Sequence, residues 1–357
     1  DLVCPLKGKE ISETYLSILK LIKLAKENRA GFVHPGYGFL SENKEFARAV
    51  IQAGMQWVGP PPAAMELLSS KLPAKELCKK LDIPTVPFVT FQKQVSQKEL
   101  DVAAGEIGFP LLVKASAGGG GRGMRKVFEP DEFAEAVTSA RREAGAAFGD
   151  PTVFVEKLVS PARHIEVQVL GDKNGKVVAI GERDCSVQRR HQKIIEETPS
   201  PAISEVQRKF LEDAAVRLLT EAGYANAGTV EFIFDSKGDW YFLEVNTRLQ
   251  VEHPITEERY GLDLVQWQLR IAQGESIWLG DLHPKGSAIE ARLYAENPYQ
   301  GFTPQPGRVY ELTFPRAKGI RIETGFGTSG VISPSYDPLL AKIIAWAPTR
   351  KEAIAKL

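Results

Sequence analysis

The chain has 357 residues, of which 43% are hydrophobic and 25% charged, a composition ordinary for a globular protein of two or three domains. Its 45 Lys and Arg balance its 45 Asp and Glu, so bulk charge points to neither nucleic acid nor a membrane surface as partner. Cys4, Cys78 and Cys185 are odd in number and lack CxxC spacing, which argues against a disulfide framework or a zinc site and fits a reducing compartment. No signal-peptide pattern or bilayer-length apolar run is present, so cytoplasm, or an organelle lumen after processing, is the expected location.

Residues 12–29 carry helix spacing, with Tyr15, Ile18, Leu19, Ile22 and Ala25 on one face. AGFVHPGYGFLSEN then reads as a short buried strand, a glycine-rich turn and a helix capped near Ser41, and QWVGPPP as a second strand. This alternation predicts a parallel α/β layer whose ligand-facing loops lie at the carboxyl ends of the strands. The triple proline at 60–62 is a candidate domain edge. A basic helix and IPTVPF follow, and the strand FPLLVKAS runs into AGGGGRGM at 117–124. That tract is not a P-loop, because no GKS or GKT follows, and Met124 to Val127 resume a strand pattern. It predicts a glycine-rich hairpin whose backbone N–H groups can approach phosphate, with Lys114 supplying a cation and the loop acting as a mobile lid.

A helix at 131–147 and the strand TVFVEKLV, carrying Glu156 and Lys157, come next. RHIEVQVLGD and KVVAIG read as strands, followed by a polar loop, ERDCSVQRRHQK, that gathers Arg183, Arg189, Arg190, His191 and Lys193, read as solvated or anion-handling. Helices are predicted at 204–222 and 261–273, and a third, smaller β-rich region begins near 286.

The most informative stretch is TVEFIFDSKGDWYFLEVNTRLQVEHP, residues 229–254. Apolar residues bracket Glu231 and Glu244 on two strands joined by turn residues Asp235 to Gly238. Two acids at one level of a hairpin repel unless a cation compensates them. Hard oxygen ligands of this kind suit Mg²⁺ that keeps waters and substrate phosphates in its shell.

A lysine-bearing strand, a glycine lid, a Glu-Lys strand and a hairpin with two metal-type carboxylates together resemble the ATP-grasp superfamily. HPGYGFLSEN, VKASAGGGGRGM, EKLV, RHIEVQV, ERDCSVQRRHQK, FLEVNTRLQVEHP and IEARLYAENP, in this order, resemble biotin carboxylase. The resemblance implies an α/β ATP-grasp fold with a partial Rossmann-like N-terminal sheet and a β-rich C-terminal region. It implies a partial N-terminal domain at 1–69, an ATP-grasp domain at 70–276 with a lid at about 86–158, and a C-terminal domain at 277–357 truncated relative to the family. ATP, Mg²⁺ or Mn²⁺ and bicarbonate would be used to carboxylate carrier-bound biotin through carboxyphosphate.

By resemblance, Lys71, Lys114, His164, Gln188 and His191 correspond to ATP contacts, Glu156 and Lys157 to the adenine-side strand, and Gly120, Gly121 and Met124 to the lid. Glu231, Glu244 and Asn246 correspond to the metal region. Lys193, Arg248, Gln250 and Val251 correspond to the bicarbonate pocket, Glu252 to the general base, Arg292 to the group that stabilises the biotin enolate, and Tyr37 to a biotin contact. A biotin carboxyl carrier protein or domain, a carboxyltransferase subunit and a second copy of the chain are the implied partners, with no nucleic acid or membrane among them. If the source is eukaryotic, the mitochondrial matrix is the implied compartment. Carbamoyl-phosphate synthetase shares related motifs, and a non-catalytic nucleotide-binding subunit is the alternative of a different kind.

Overall fold

The computed structural model describes residues 2–92, 95–115 and 124–357. Near the N-terminus a 3₁₀ turn at Ile11–Glu13 precedes α1 (Ile18–Glu27), so the first helix is shorter than the apolar spacing predicts and Tyr15 lies before it. Ile18, Leu21, Ile22 and Ala25 form its apolar stripe, whereas Leu19, one position off that stripe, is 85% exposed. β1 (Phe32–Val33), α2 (Lys44–Gln52) and β2 (Gln56–Trp57) follow, and β1 pairs in parallel with β2. The cap of α2 is Asn43, which accepts the Phe46 N–H at 2.8 Å; Ser41 instead accepts the Gly38 N–H within the preceding turn. Pro62 opens α3 (Pro62–Ser69), at a position where a missing N–H costs nothing.

After α4 (Lys71–Lys80) the chain builds a separate small layer from β3 (Phe88–Phe91), α5 (Gln97–Ile107), β4 (Leu111–Ala115), β5 (Arg125–Val127), α6 (Pro130–Phe148) and β6 (Val153–Lys157). Its strand order is β3-β6-β4-β5, and its core, with Leu111, Val113, Phe133 and Val155, is drawn among the described residues from positions 89–155. β4 and β5 pair antiparallel, so the glycine tract connects two hairpin strands; Ala117, Gly120, Gly121 and Arg122 lie outside the described residues.

The remainder centres on an eight-stranded sheet. Its elements begin with β7 (Arg163–Gly171), β8 (Val177–Arg189), β9 (Gln192–Thr198), α7 (Glu205–Glu221), β10 (Asn226–Phe234) and β11 (Trp240–Asn246). Two helices, α8 (His253–Tyr260) and α9 (Leu264–Ala272), lead to β12 (Ser287–Tyr294). Four short strands follow, β13 (Glu296–Asn297), β14 (Thr303–Pro304), β15 (Gly307–Val309) and β16 (Ile320–Glu323). β17 (Gly330–Ile332), β18 (Leu339–Ala347) and α10 (Arg350–Lys356) end the chain. The order β11-β10-β7-β8-β9-β12-β18-β16 shows that β12, β18 and β16 of the C-terminal β-rich region extend this same sheet.

Two expectations change here. The polar stretch read as a loop is mostly strand: β8 runs to Arg189 and β9 starts at Gln192, leaving Arg190 and His191 as a turn with φ of 51° and 66°. The helix expected at 261–273 begins at Leu264, and α8 precedes it.

Strand alternation decides what each face of the sheet carries. Ile165, Val167 and Val169 of β7 and Val230, Phe232 and Phe234 of β10 point into one core with Leu211, Leu218 and Leu219 of α7. Each of these leucines contributes about 1.5–3 kcal/mol by burial. The residues between them point the other way, and that opposite face carries charge.

Candidate active site

Register puts the acids in a row. Glu244 of β11 is the cross-strand partner of Glu231 of β10, and Glu231 is the partner of Glu166 of β7. Arg183 of β8 is the partner of Glu166 in turn. Like charges directly opposite one another destabilise a sheet, so the row needs cations. Lys193 supplies the central one. Its Nζ lies 2.5 Å from Glu166, 2.8 Å from Glu231 and 2.7 Å from Glu252. Burial would discharge this lysine, but the three carboxylates hold its pKa well above the usual lysine range.

His164 Nε2 lies 3.0 Å from Glu231; burial opposes its charged form, yet Glu231 and Glu166 prevail and raise its pKa to about 9. Arg183 is fully buried, its Nε 2.6 Å from Glu166 and its other nitrogens donating to Gln168, Thr256 and Thr229.

Glu231 and Glu244 respond oppositely to their position. Burial raises both, but Lys193 and His164 pull Glu231 below the usual carboxylate range, whereas Glu244 stays raised beside the charge of Glu231. A divalent cation between them would relieve that repulsion, and two carboxylates form a hard oxygen donor set, so the pair fits Mg²⁺ or Mn²⁺. Asn246 donates its amide to Glu231 at 2.7 Å and so borders the same place.

β11 ends in a loop, 247–252, that closes the charged face. Arg248 is held by Glu42 at 3.2 Å and donates to Gln250 Oε1 at 2.9 Å, while Gln250 Nε2 reaches Glu231 at 3.2 Å. Glu252, 0% exposed, sits between two cations, Lys193 at 2.7 Å and the Arg292 guanidinium of β12 at 3.1 Å. Burial raises its pKa, but Lys193, Arg292 and Arg183 outweigh that and keep it below the usual value, so it is a carboxylate at neutral pH. Arg292 and Val251 also line a cavity of about 720 Å³ with Tyr37, Tyr294 and Lys342. Lys342 Nζ bonds the Val251 carbonyl at 2.8 Å and faces the Tyr37 ring at 5.7 Å.

A second cluster lies between α4 and the small layer. Lys75 and Lys114 both pair with buried Glu156, Lys75 at 2.8 Å. Lys71, one turn before Lys75 on α4, approaches the Phe154 ring at 5.6 Å. Burial lowers the pKa of both α4 lysines. Three lysines around Glu156, with Glu244 opposite, leave a cationic surface suited to a polyanion.

Lys157, on the other face of β6, is not part of this cluster: its ammonium donates to the carbonyls of Gly108 at 3.1 Å and Phe109 at 2.5 Å. Gln188 is tied to the Cys185 carbonyl at 2.8 Å, His191 is exposed at the hairpin turn, and Met124 is half-buried just before β5.

The sequence alone gives no role to Lys75, Glu166, Glu196, Lys342 or Glu42, and the acids that Arg292 pairs with are Glu196 and Glu252 rather than its sequence neighbours Glu290 or Glu296. Lys75 had a signal, since KLPAK places it four residues after Lys71 on one helix face. Arg183, read as part of a polar loop, is instead buried in the sheet because its strand continues through that stretch.

The thiols differ sharply. Cys4 is exposed, whereas Cys78 and Cys185 are buried; burial pushes Cys78 up to about 12 and Cys185 well above the usual thiol range. One thiol per chain is therefore expected to react with an aromatic disulfide reagent in the native protein and three after unfolding. Rapid native reaction of a second thiol would show that one of the two buried cysteines is accessible.

Comparison with known proteins agrees along nearly all of the chain. Family models match as biotin carboxylase, N-terminal domain, at residues 1–65, as carbamoyl-phosphate synthase L chain, ATP binding domain, at 70–279, and as biotin carboxylase C-terminal domain at 290–357. The mitochondrial methylcrotonoyl-CoA carboxylase subunit alpha of Mus musculus is 48% identical over 97% of this chain and 48% of its own length. The biotin carboxylase of Nostoc sp. is 45% identical over 97% of this chain and 78% of its own. The chain thus spans about half the length of the mouse relative.

The biotin carboxylase domain dimer of Hydrogenobacter thermophilus 2-oxoglutarate carboxylase, solved with MgADP, ADP and bicarbonate, superposes with a TM-score of 0.93. It is 43% identical and is covered over 98% of this chain and 78% of its own. The biotin carboxylase of Campylobacter jejuni gives the same score at 39% identity, with 98% of this chain and 78% of its own covered. With the mixed α/β ATP-grasp fold, the facing acids of the sheet and matches to all three domain models, this chain belongs to the biotin carboxylase family.

Proposed function

We propose that the chain carboxylates biotin on a carrier protein, using MgATP and bicarbonate through carboxyphosphate, as the first half-reaction of a biotin-dependent carboxylase. The observation that carries this reading is Glu252, a buried carboxylate held at 2.7 Å by Lys193 and 3.1 Å by Arg292 where the row of acids meets the Tyr37 cavity.

Bicarbonate is a poor nucleophile until it loses its proton. Glu252 takes that proton, and Lys193 and Arg248 bind the resulting carbonate, the arginine through a planar fork matching its geometry. Gln250 and Val251 complete that pocket. Carbonate oxygen attacks the γ-phosphoryl group, and ADP leaves. Lys71, Lys114 and His164 hold the phosphates, with Lys75 and Glu156 setting the charge of the adenine-side strand. A divalent ion bound by Glu231, Glu244 and Asn246 would neutralise charge on those phosphates. Carboxyphosphate then breaks its bond to phosphate, the phosphate takes the proton from N1 of biotin, and the carboxyl group passes to that nitrogen, while Arg292 stabilises the enolate oxygen and Tyr37 contacts the ring.

Residues 1–69, 70–276 and 277–357 are the proposed domains, with about 86–158 as a lid. The self-contained core of the β3-β6-β4-β5 layer supports a lid that moves as one body. Gly120, Gly121 and Met124 would cover the phosphates, and Gln188 and His191 would reach the nucleotide on closure. A biotin carboxyl carrier, a carboxyltransferase and a second copy of the chain are the proposed partners. No described helix is long and apolar enough to cross a membrane. The cytoplasm or, in a eukaryote, the mitochondrial matrix is the proposed compartment.

The test is ATP hydrolysis by the purified protein with Mg²⁺, with and without bicarbonate and free biotin. Turnover that requires bicarbonate and rises with biotin is expected. Hydrolysis indifferent to biotin would move the assignment to another ATP-grasp ligase, the reading that the carbamoyl-phosphate synthase match over 70–279 would favour.

A further inference from the structure

Behind Arg292 the sheet holds two acids that this chemistry does not use. Glu196 of β9 and Glu290 of β12 are each 0% exposed and are cross-strand partners. Glu196 Oε1 accepts from Arg292 Nε at 2.7 Å and lies 2.6 Å from a terminal guanidinium nitrogen. Its Oε2 has no hydrogen-bond partner, and neither oxygen of Glu290 has one among the described residues. The cations nearby are committed elsewhere. Arg292 is shared between Glu196 and Glu252, Lys342 of β18 between the Val251 carbonyl and Glu323, and Lys193 of β9 among Glu166, Glu231 and Glu252. Two buried carboxylates on adjacent strands, with three oxygens lacking a donor, cannot both persist as anions. One proton between them supplies the missing donor.

We propose that Glu196 and Glu290 share a single proton, Glu290 standing as the neutral acid, and that Glu196 is a positioning residue that grips one edge of Arg292 so that the other faces Glu252 and the cavity. Burial pushes Glu290 well above the usual carboxylate range and Glu196 up to about 7, despite Arg292 beside the latter, as one proton on the pair requires. The positioning role rests on the proposed part of Arg292 in biotin carboxylation, whereas the shared proton does not.

Three variants of the purified protein separate the claims. Glu290→Gln replaces a neutral acid with a near-isostere and is expected to keep the parent's biotin-dependent kcat. Glu196→Gln removes the charge that orients Arg292 and is expected to lower that kcat between about 10- and 100-fold, with a smaller effect on ATP KM. Glu196→Asp is expected to recover part of the loss, which a merely steric role would not allow. Infrared difference spectra should show a buried protonated carboxyl band in the parent that is missing from Glu290→Gln.

Loss of activity in Glu290→Gln equal to that in Glu196→Gln, or parental activity in Glu196→Gln, overturns the assignment. So does an infrared band unchanged by Glu290→Gln. If Glu196→Gln does not fold, the aspartate variant and the spectra decide. The infrared result also stands if the protein turns over no biotin, so failure of this inference is separable from failure of the carboxylation reading.

Discussion

Glu252→Gln is expected to lower biotin-dependent ATP hydrolysis by about 10²–10⁴-fold, the range that a positioned general base contributes. The amide keeps the size of the side chain and can still accept from Arg292, but it cannot take the bicarbonate proton. The fold should tolerate the change because neither cation is stranded: Lys193 keeps Glu166 and Glu231, and Arg292 keeps Glu196. Nucleotide affinity should also survive, since the lysines around Glu156 lie in the other cluster and do not touch Glu252. The measurements are kcat, ATP KM and MgADP binding in parent and variant. A variant within threefold of the parent's biotin-dependent kcat would remove Glu252 from the role of base, even if bicarbonate still bound there. Loss of MgADP binding together with turnover would mean a collapsed site rather than missing chemistry.

How far the site could be read in advance depended on whether its contacts were local. The Glu231 and Glu244 hairpin was legible because its turn, Asp235 to Gly238, and the alternation on both sides fix register within one short segment. The lysine of β4 and the strand bearing Glu156 were legible from their own short apolar runs, whereas their pairing with each other across distant strands was not. Glu166, Glu196 and Glu290 were not, because their meaning comes from pairings between distant strands: β10 with β7, and β12 with β9. Nothing in RHIEVQV says that Glu166 will lie beside Glu231, more than sixty positions later. The segment from Arg183 to Lys193 misled for a different reason. Hydrophobic patterning assumes that a strand's polar face meets water, whereas here it meets other buried charges, so a strand was read as a loop. In the N-terminal region the layer was visible, but α1 began later and α2 was capped two residues further on than the sequence suggested, since local turns compete for the same capping groups.

Arg183→Met is expected to cost about 3–5 kcal/mol of stability, the usual result of removing one partner from a buried ion pair. The guanidinium is 0% exposed and spends its donors on Glu166, Gln168, Thr256 and Thr229, so four side chains from β7, β10 and α8 lose a partner at once. Glu166 is then left with Lys193, which must also serve Glu231 and Glu252, and with His164 at 3.8 Å, which also pairs with Glu231. Burial raises the pKa of Glu166, and Lys193 and Arg183 bring it below the usual carboxylate range. A carboxylate whose folded pKa is depressed contributes stability above its unfolded pKa and loses it as pH falls through the folded value. Without Arg183 that contribution shrinks, so the deficit of the variant should be largest near neutral pH and smaller in acid.

Glu166→Gln in the Arg183→Met background removes the stranded charge and should recover part of the loss, giving a double-mutant coupling well outside additivity. Urea unfolding of the four proteins at neutral pH measures the cycle. Additive effects would assign Arg183 to packing and hydrogen bonding alone, while a large coupling would make the pair a single electrostatic unit. In that second case the charged face is constrained as a whole: the proposed binding of carbonate by Lys193 depends on Arg183 also holding Glu166, so a buried arginine sets the charge available to the proposed chemistry beside it.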